Sequence, residues 1–234
     1  MEELLSIDAS SVQRFLRRWY GAAEGASDVL LDINSCAPDQ LAAWHTAVAL
    51  VDGPVTFQDR PVAPGDLEPD CRGMLEFWIE NQNSCFWAVD LNDERLQVFI
   101  REAGEKDWTG TGEVLGDFLL HCTVREAVIG AVSKLTIFVD TEEADEVLES
   151  FQPLKFTALG SEEPQVRLWC SGDALVRMAP PPTGYESPGE QLWMLTFAAP
   201  SDMGIERYAS RFGHEGVTQA APARVELPYE PPPF

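Results

Sequence analysis

The stretch that most restricts the fold is MLEFWIENQNSCFWAVD, Met74–Asp90. Large apolar residues recur at every second position on both sides of a polar turn that begins at Glu80, and this period is typical of strands. A third alternation, Leu96–Ile100, follows a second polar turn at Asn92 and Asp93. The sequence therefore predicts an antiparallel meander of three strands.

Helical spacing of apolar residues predicts helices on both sides of this meander. The segment Ser10–Tyr20 predicts a helix that ends at Gly21, and a second helix opens at Pro38, a residue favoured at the start of helices. The segment Glu113–Ala131 predicts a third helix, with Val114 among its inward-facing residues. Three helices are thus expected in the part of the chain that contains the meander.

A second set of elements follows Ser133. It predicts a C-terminal α+β extension over residues 133–215, which is either a separate domain or a continuation of the first sheet. Residues 216–234 are rich in proline and predict an extended tail. The elements expected in the extension are a strand at Leu135–Val139, an acidic helix at Glu142–Phe151, hairpin strands at Val166–Cys170 and Ala174–Met178, a strand at Gln191–Ala198 and a helix at Ser201–Phe212.

The net charge restricts the class of partner. The chain has 16 Lys and Arg against 39 Asp and Glu, which gives a net charge of −23. A field of this sign repels nucleic acid and attracts a basic protein, whose encounter rate it raises at low ionic strength. The alternative interpretation is that the charge serves solubility alone.

No pattern in the chain indicates catalysis or a bound cofactor. His45, His121 and His214 share no ligand spacing, and the five cysteines form no CxxC pair. The segment Gly110–Gly112 is interpreted as a loop, and carboxylates are too abundant for any one pair to indicate acid–base chemistry. We therefore expect no enzyme activity, no metal and no cofactor. A hydrolase that uses scattered carboxylates is the remaining catalytic alternative.

The sequence also gives expectations about location and assembly. The chain contains no run of about 18 apolar residues, so we expect no transmembrane helix. The N-terminus is acidic where a secretory signal would be basic, so we expect a cytoplasmic protein that does not bind membranes. The oligomeric state is not specified, with a monomer favoured.

The polar turn Glu80–Asn83 has two interpretations. Its carboxylate and amide side chains can accept backbone N–H bonds and tolerate left-handed backbone geometry, so they can simply build the turn. They can also form the polar rim of an aromatic binding surface, which is the composition expected of a protein interface. The residue pattern leaves both interpretations open.

Several motifs in a fixed order resemble the SUKH superfamily of bacterial immunity proteins, which also includes fungal cell-wall synthesis regulators. The resemblance covers Ala37–Val132. It is carried by APDQLAAWH at Ala37–His45, the approach Leu67–Pro69, the segment GMLEFWIENQNSCFWAVD, Trp108 and the helix LGDFLLHCTVREAVIGA. It implies an α+β fold, with helices packed on a twisted, mainly antiparallel sheet, for a domain at residues 1–132.

The resemblance also implies a function. Members of the superfamily bind and neutralise toxin domains, often nucleases or deaminases, so the expected partner is a basic toxin domain. The alternative is a regulatory or scaffold protein of the same fold that has no toxin partner. The residues expected to contact the partner are Trp78, Glu80, Gln82, Trp87, Asp90 and Trp108.

Overall fold

The computed structural model describes residues 1–23, 31–156, 166–182 and 191–211. Within these residues the chain forms helices and two antiparallel sheets, which confirms the α+β class. The predicted tail at 216–234 and the predicted end of the last helix, Phe212, lie outside the described residues.

The first sheet has five strands that are adjacent in the order of the chain. The predicted meander is confirmed as its three central strands, and the structure adds a strand on each side. The strands are β1 (Arg60–Pro61), β2 (Met74–Ile79), β3 (Cys85–Asp90), β4 (Gln97–Glu102) and β5 (Thr109–Val114).

The second sheet also has five strands, in the order β6-β10-β9-β8-β7. It does not continue the first sheet, although the sequence left that possibility open. The predicted hairpin around Gly172 is confirmed by the pairing of its two strands. The strands are β6 (Ser133–Asp140), β7 (Gln152–Pro153), β8 (Arg167–Ser171), β9 (Ala174–Ala179) and β10 (Leu192–Ala199).

The five α-helices lie close to their predicted positions. The first ends at Gly21, whose φ of +79° is a left-handed value that glycine adopts without a steric cost. Pro38 precedes the second helix as its N-cap. The helices are α1 (Ser11–Tyr20), α2 (Asp39–Ala49), α3 (Leu115–Gly130), α4 (Thr141–Leu148) and α5 (Asp202–Arg211).

The predicted start of the third helix at Glu113 is wrong. Glu113 belongs to β5, which pairs with β4, and Val114 is exposed rather than directed inward. The Gly110–Gly112 segment is likewise strand rather than loop. Gly110 lies opposite Phe99, where an added Cβ would come within 2.9 Å of the amide of Gln97. A larger residue at this position would require the flexible end of the Gln97 side chain to move.

Helix α3 lies in the middle of the protein. Its first half packs with α2 and the inward face of the first sheet around Phe118 and Leu119. Its second half, including Val124 and Val128, packs with α1 and with Leu175 of the second sheet. The second sheet is covered on its other face by α4 and α5. Both sheets thus pack against α3, each in its own cluster of buried residues.

The buried polar side chains of α3 hold the segment that leads into β1. The carboxylate of Glu126 is 1% exposed and accepts backbone N–H bonds from Phe57, Gln58 and Asp59, the last two at 2.8 and 3.1 Å. Arg125 forms an ion pair with Asp59 at 2.7 Å. Burial raises the pKa of Glu126, against the effect of the three N–H donors. An irregular segment is thereby fixed against the helix.

His45 is a packed histidine of α2. It is 7% exposed, its ring meets Trp44 edge-on at 5.0 Å, and its Nε2 has no hydrogen-bond partner among the described residues. Burial lowers the pKa of His45 from 6.5 to about 4. The folded protein therefore holds this ring in its neutral form.

We expect Glu126→Ala to lower the free energy of unfolding by about 3 kcal/mol, because it leaves buried N–H groups without an acceptor. Urea unfolding followed by circular dichroism measures this change. Glu94→Ala removes a carboxylate from an exposed turn and serves as the control, with an expected effect below about 0.5 kcal/mol. Equal effects of the two substitutions would show that Glu126 does not hold the segment.

We expect His45 to make the protein less stable as the pH falls from 6.5 to 4. Its pKa is lower in the folded state, so the unfolded chain binds a proton first and gains stability over this range. The loss attributable to His45 is about 2 kcal/mol after allowance for solvent screening. His45→Gln cannot titrate, so its unfolding free energy should depend less on pH over this interval. If the unfolding free energies of the native protein and of His45→Gln changed equally with pH, His45 would not be the group that causes the loss of stability.

Candidate partner-binding face

One face of the first sheet carries aromatic side chains that belong to none of the described core clusters. The strand register places Ile79 opposite Phe86 and Phe86 opposite Arg101. Trp108 directly precedes β5, and its ring contacts Arg101. We call this surface the outer face, and it is formed by Glu76, Ile79, Phe86, Phe99, Arg101 and Trp108.

Arg101 organises the outer face. Its guanidinium lies 4.7 Å from the centre of the Trp108 ring and 5.3 Å from that of Phe86. It also forms an ion pair with Glu76 at 2.7 Å. Because a guanidinium stacks on aromatic rings and pairs with a carboxylate at the same time, these four side chains hold one another in place.

Two N–H groups of this arrangement are shielded from solvent and have no acceptor among the described residues. They are Nε of Arg101 and Nε1 of Trp108. A shielded donor without an acceptor costs free energy that a new hydrogen bond recovers. A carbonyl oxygen of a docked protein would be a suitable acceptor for either group, after a small movement of the rings.

Acidic residues border the outer face. The loop between Arg101 and Trp108 carries three exposed carboxylates against one lysine; they are Glu102, Glu105 and Asp107, with Lys106. Glu76 contributes a further carboxylate within the face, where Arg101 balances it. The border beside Trp108 is therefore negatively charged, whereas Arg60, which lies opposite Ile79, adds a positive charge at the other side of the face.

The Glu80 turn is built by its own side chain. The Glu80 carboxylate accepts hydrogen bonds from the backbone N–H groups of Gln82 and Ser84, at 2.7 and 3.2 Å, and from the Ser84 hydroxyl. Burial acts to raise the pKa of Glu80, but these hydrogen bonds outweigh it and lower the pKa. Asn83 adopts a φ of +58°. The structural interpretation of the turn is confirmed, and Gln82 is exposed beside it.

Asp90 lies at the other end of β3. Its carboxylate accepts hydrogen bonds from the backbone and the side-chain amide of Asn92, at 2.9 and 3.0 Å, and so holds the second turn. The strand has six residues from Cys85 to Asp90, and the five steps between its ends correspond to roughly 17 Å. Asp90 and Glu80 therefore do not form one compact patch.

Trp78 and Trp87 are core residues, which corrects their prediction as partner contacts. Trp78 is 0% exposed and Trp87 3% exposed, and both belong to the cluster that packs on α3. For Trp78 the physical reason is a register shift between Glu76 and Trp78, because a bulge interrupts the period of two. Phe77 and Trp78 are consequently both buried. Trp87 faces the core because it alternates with Phe86, which lies on the outer face. Of the six predicted residues, Glu80, Gln82 and Trp108 lie near the same end of the sheet.

Phe86 and Arg101 were missed as site residues. The signal that identifies Phe86 is its alternation with Trp87: if one faces the core, the other faces away. Arg101 could have been placed by the same parity in the next strand. Its contact with Trp108 depends on β5, which the sequence pattern did not reveal.

A separate groove of about 280 Å³ lies between the start of α1 and helices α2 and α3. Its floor includes Trp44 and Leu119, and its polar rim includes Gln13 and Gln40.

Among the described residues no group of three or more His, Cys, Asp or Glu side chains could hold a metal ion. None of the helices in the described ranges has the length and apolarity needed to cross a membrane.

Comparison of the chain with protein-family models, with curated proteins and with solved structures finds no match.

We expect truncation of neighbouring residues on β3 to have very different effects on stability. Trp87→Ala should lower the unfolding free energy by about 4 kcal/mol, because it leaves a cavity in the core. Phe86→Ala should lower it by about 1 kcal/mol, since that ring is only partly buried. Thermal and urea unfolding of both variants measure the difference. A loss at Phe86 as large as that at Trp87 would show that Phe86 also belongs to a packed core.

Proposed function

We propose that this protein binds a basic protein domain through the outer face and neutralises it, as an immunity protein does for its toxin. The observation that carries the proposal is the aromatic stack of Phe86, Arg101 and Trp108 beside a loop with a net negative charge. Rigid aromatic and arginine side chains supply much of the affinity of protein interfaces. The SUKH resemblance supplies the kind of partner, a toxin domain.

Charge supports the proposal. The net charge of −23 favours rapid encounter with a basic domain, and the carboxylates next to Trp108 lie where such a domain would dock. The locally neutral stack would then make the close contacts. In this arrangement the charged border attracts the partner during encounter, and the aromatic centre provides most of the binding free energy.

The second candidate function is regulation or scaffolding without a toxin partner. It uses the same outer face, because an aromatic surface with unpaired N–H donors suits any protein ligand. The gene neighbourhood distinguishes the two functions, because a neighbouring gene that encodes a secreted toxin favours the immunity function.

The direct test is calorimetric titration of this protein with the C-terminal domain of any polymorphic toxin that is encoded beside it, at 0.05 and 0.5 M NaCl. We expect tight binding that weakens with salt, because screening reduces the attraction between opposite charges. Phe86→Ala and Trp108→Ala should each weaken binding at least about tenfold. Phe138→Ala removes an exposed ring from the other sheet and should leave binding unchanged.

Each contrary outcome has a distinct meaning. Tight binding that neither outer-face variant affects would place the interface elsewhere and reject the outer face. Absence of binding to the neighbouring toxin domain would reject the immunity function and favour the regulatory alternative. Binding that ignores salt would remove the proposed role of the acidic border.

A further inference from the structure

The groove between α1, α2 and α3 is separate from the outer face, because α2 and α3 pack on the opposite side of the first sheet. Gly116 opens its wall on α3, since a Cβ placed there would meet no other part of the chain within 4 Å. The groove volume of about 280 Å³ is just below that of small-molecule pockets, which begin at about 300 Å³. The groove therefore has room for one large side chain.

The rim of the groove is polar but carries no unpaired charge. Asp8 is the only charged residue among the described residues that line it, and it forms an ion pair with Arg14 at 2.9 Å. The side-chain amides of Gln13 and Gln40 form no hydrogen bond with the described residues. Each amide can both donate and accept a hydrogen bond. The groove thus suits an uncharged ring on a segment that offers polar groups to these amides.

The predicted tail contains a segment whose composition matches the groove. This segment is LPYEPPPF, Leu227–Phe234, and half of its residues are prolines. Proline fixes its own φ and restricts the residue before it to extended conformations, so little conformational freedom remains to be lost on binding. Proline also lacks an N–H group, which leaves carbonyl oxygens as acceptors for side-chain amides. Proline-rich segments bind to grooves lined by aromatic residues for these reasons.

We propose that Leu227–Phe234 binds in the groove of the same chain, with the Tyr229 ring over Gly116 and beside Trp44. Tyr229 is the anchor rather than Phe234, because a tyrosine hydroxyl pairs with the amides at the rim whereas a phenylalanine ring cannot. The groove and the outer face are different surfaces, so this binding does not depend on the immunity function.

The chain between α5 and Tyr229 is long enough to reach the groove. Tyr229 lies 18 residues after Arg211, the end of α5, and such a linker spans up to about 60 Å. Helices α5 and α1 lie on opposite faces of the second sheet. A sheet of five strands is roughly 20 Å wide, and helices pack about 10 Å from it, so the path around its edge to α1 is roughly 50 Å.

Charge favours the same segment. Glu230, next to Tyr229, is the only charged side chain of Leu227–Phe234. Arg17 lies one turn after Gln13 on the same stripe of α1, is exposed and forms no ion pair with the described residues. A carboxylate beside the Tyr229 ring would lie near this guanidinium. Arg17 thus offers a local attraction in a chain whose net charge of −23 otherwise repels an acidic segment.

The covalent link makes a weak contact sufficient. A flexible linker of this kind gives the segment an effective concentration on the order of 1 mM at the groove. If the isolated segment binds with a Kd of about 0.1 mM, about 90% of the molecules hold their own segment in the groove. The same competition should weaken the binding of an added peptide about tenfold.

The test is fluorescence anisotropy of a fluorescein-labelled peptide of residues 225–234, titrated with the full chain up to about 1 mM. The full chain with Tyr229→Ser has lost its anchor, so we expect it to bind the peptide with a Kd of about 0.1 mM. The unaltered chain should bind about tenfold more weakly. Phe234→Ser is the matched control, because it also removes a ring from the segment but should bind as weakly as the unaltered chain.

A second substitution locates the binding site. Gly116→Leu in the Tyr229→Ser chain fills the groove with a side chain, and we expect it to abolish peptide binding. It replaces a helical glycine with a residue that favours helices, into open space, so the fold should be retained. Gly116→Ala adds a single carbon and should leave most of the binding. Circular dichroism checks that each variant is folded.

Four results would overturn the proposal. Absence of peptide binding to the Tyr229→Ser chain would leave the groove to a different molecule. Equal binding to the unaltered chain would mean that the segment does not occupy the groove. Binding that Gly116→Leu leaves intact would place the peptide on another surface. A dimer of the unaltered chain that Tyr229→Ser dissociates, measured by sedimentation equilibrium, would assign the segment to the groove of a second copy.

Discussion

The structure depends on the hydrogen bonds that the buried carboxylate of Glu126 accepts from residues 57–59. A carboxylate in the interior is stable only when donors surround it, and here the donors are backbone N–H groups of an irregular segment. Because α3 supplies this carboxylate, the helix fixes the path of the chain into β1 as well as the packing of both sheets. One polar residue in the central helix thus determines where the first sheet begins.

The bulge in β2 separates two kinds of aromatic residue. It moves Trp78 into the core beside Trp44, with ring centres 5.3 Å apart, and leaves Ile79 on the outer face opposite Phe86. The hairpin can therefore carry aromatic residues on both faces, although its outer face is not fully apolar. On the core face the rings pack with α2 and α3, and on the outer face they stack with Arg101.

Much of the architecture follows from local pattern, and the exceptions have physical causes. The central meander, the hairpin at Gly172 and the helices follow from periods of two and 3.6 residues, which depend on one-sided burial. Strand β5 was not predicted because Gly110 and Gly112 lack side chains that could show a period. Trp78 was misassigned because a bulge is a pairing property of two strands. The stack on Arg101 could not be foreseen without β5, since that strand carries Trp108 to it.

The packing of both sheets on α3 limits how this protein can change over evolutionary time. Val124 and Val128 of α3 pack with Phe15 of α1 and with Leu168 and Leu175 of the second sheet. A gene fragment that encodes only the first sheet and its helices would leave these side chains without their neighbours. Recombination at the boundary near Ser133 would thus produce two halves that each expose an apolar surface. The packing on α3 therefore favours retention of both sheets together, with new partners acquired through changes at the surface.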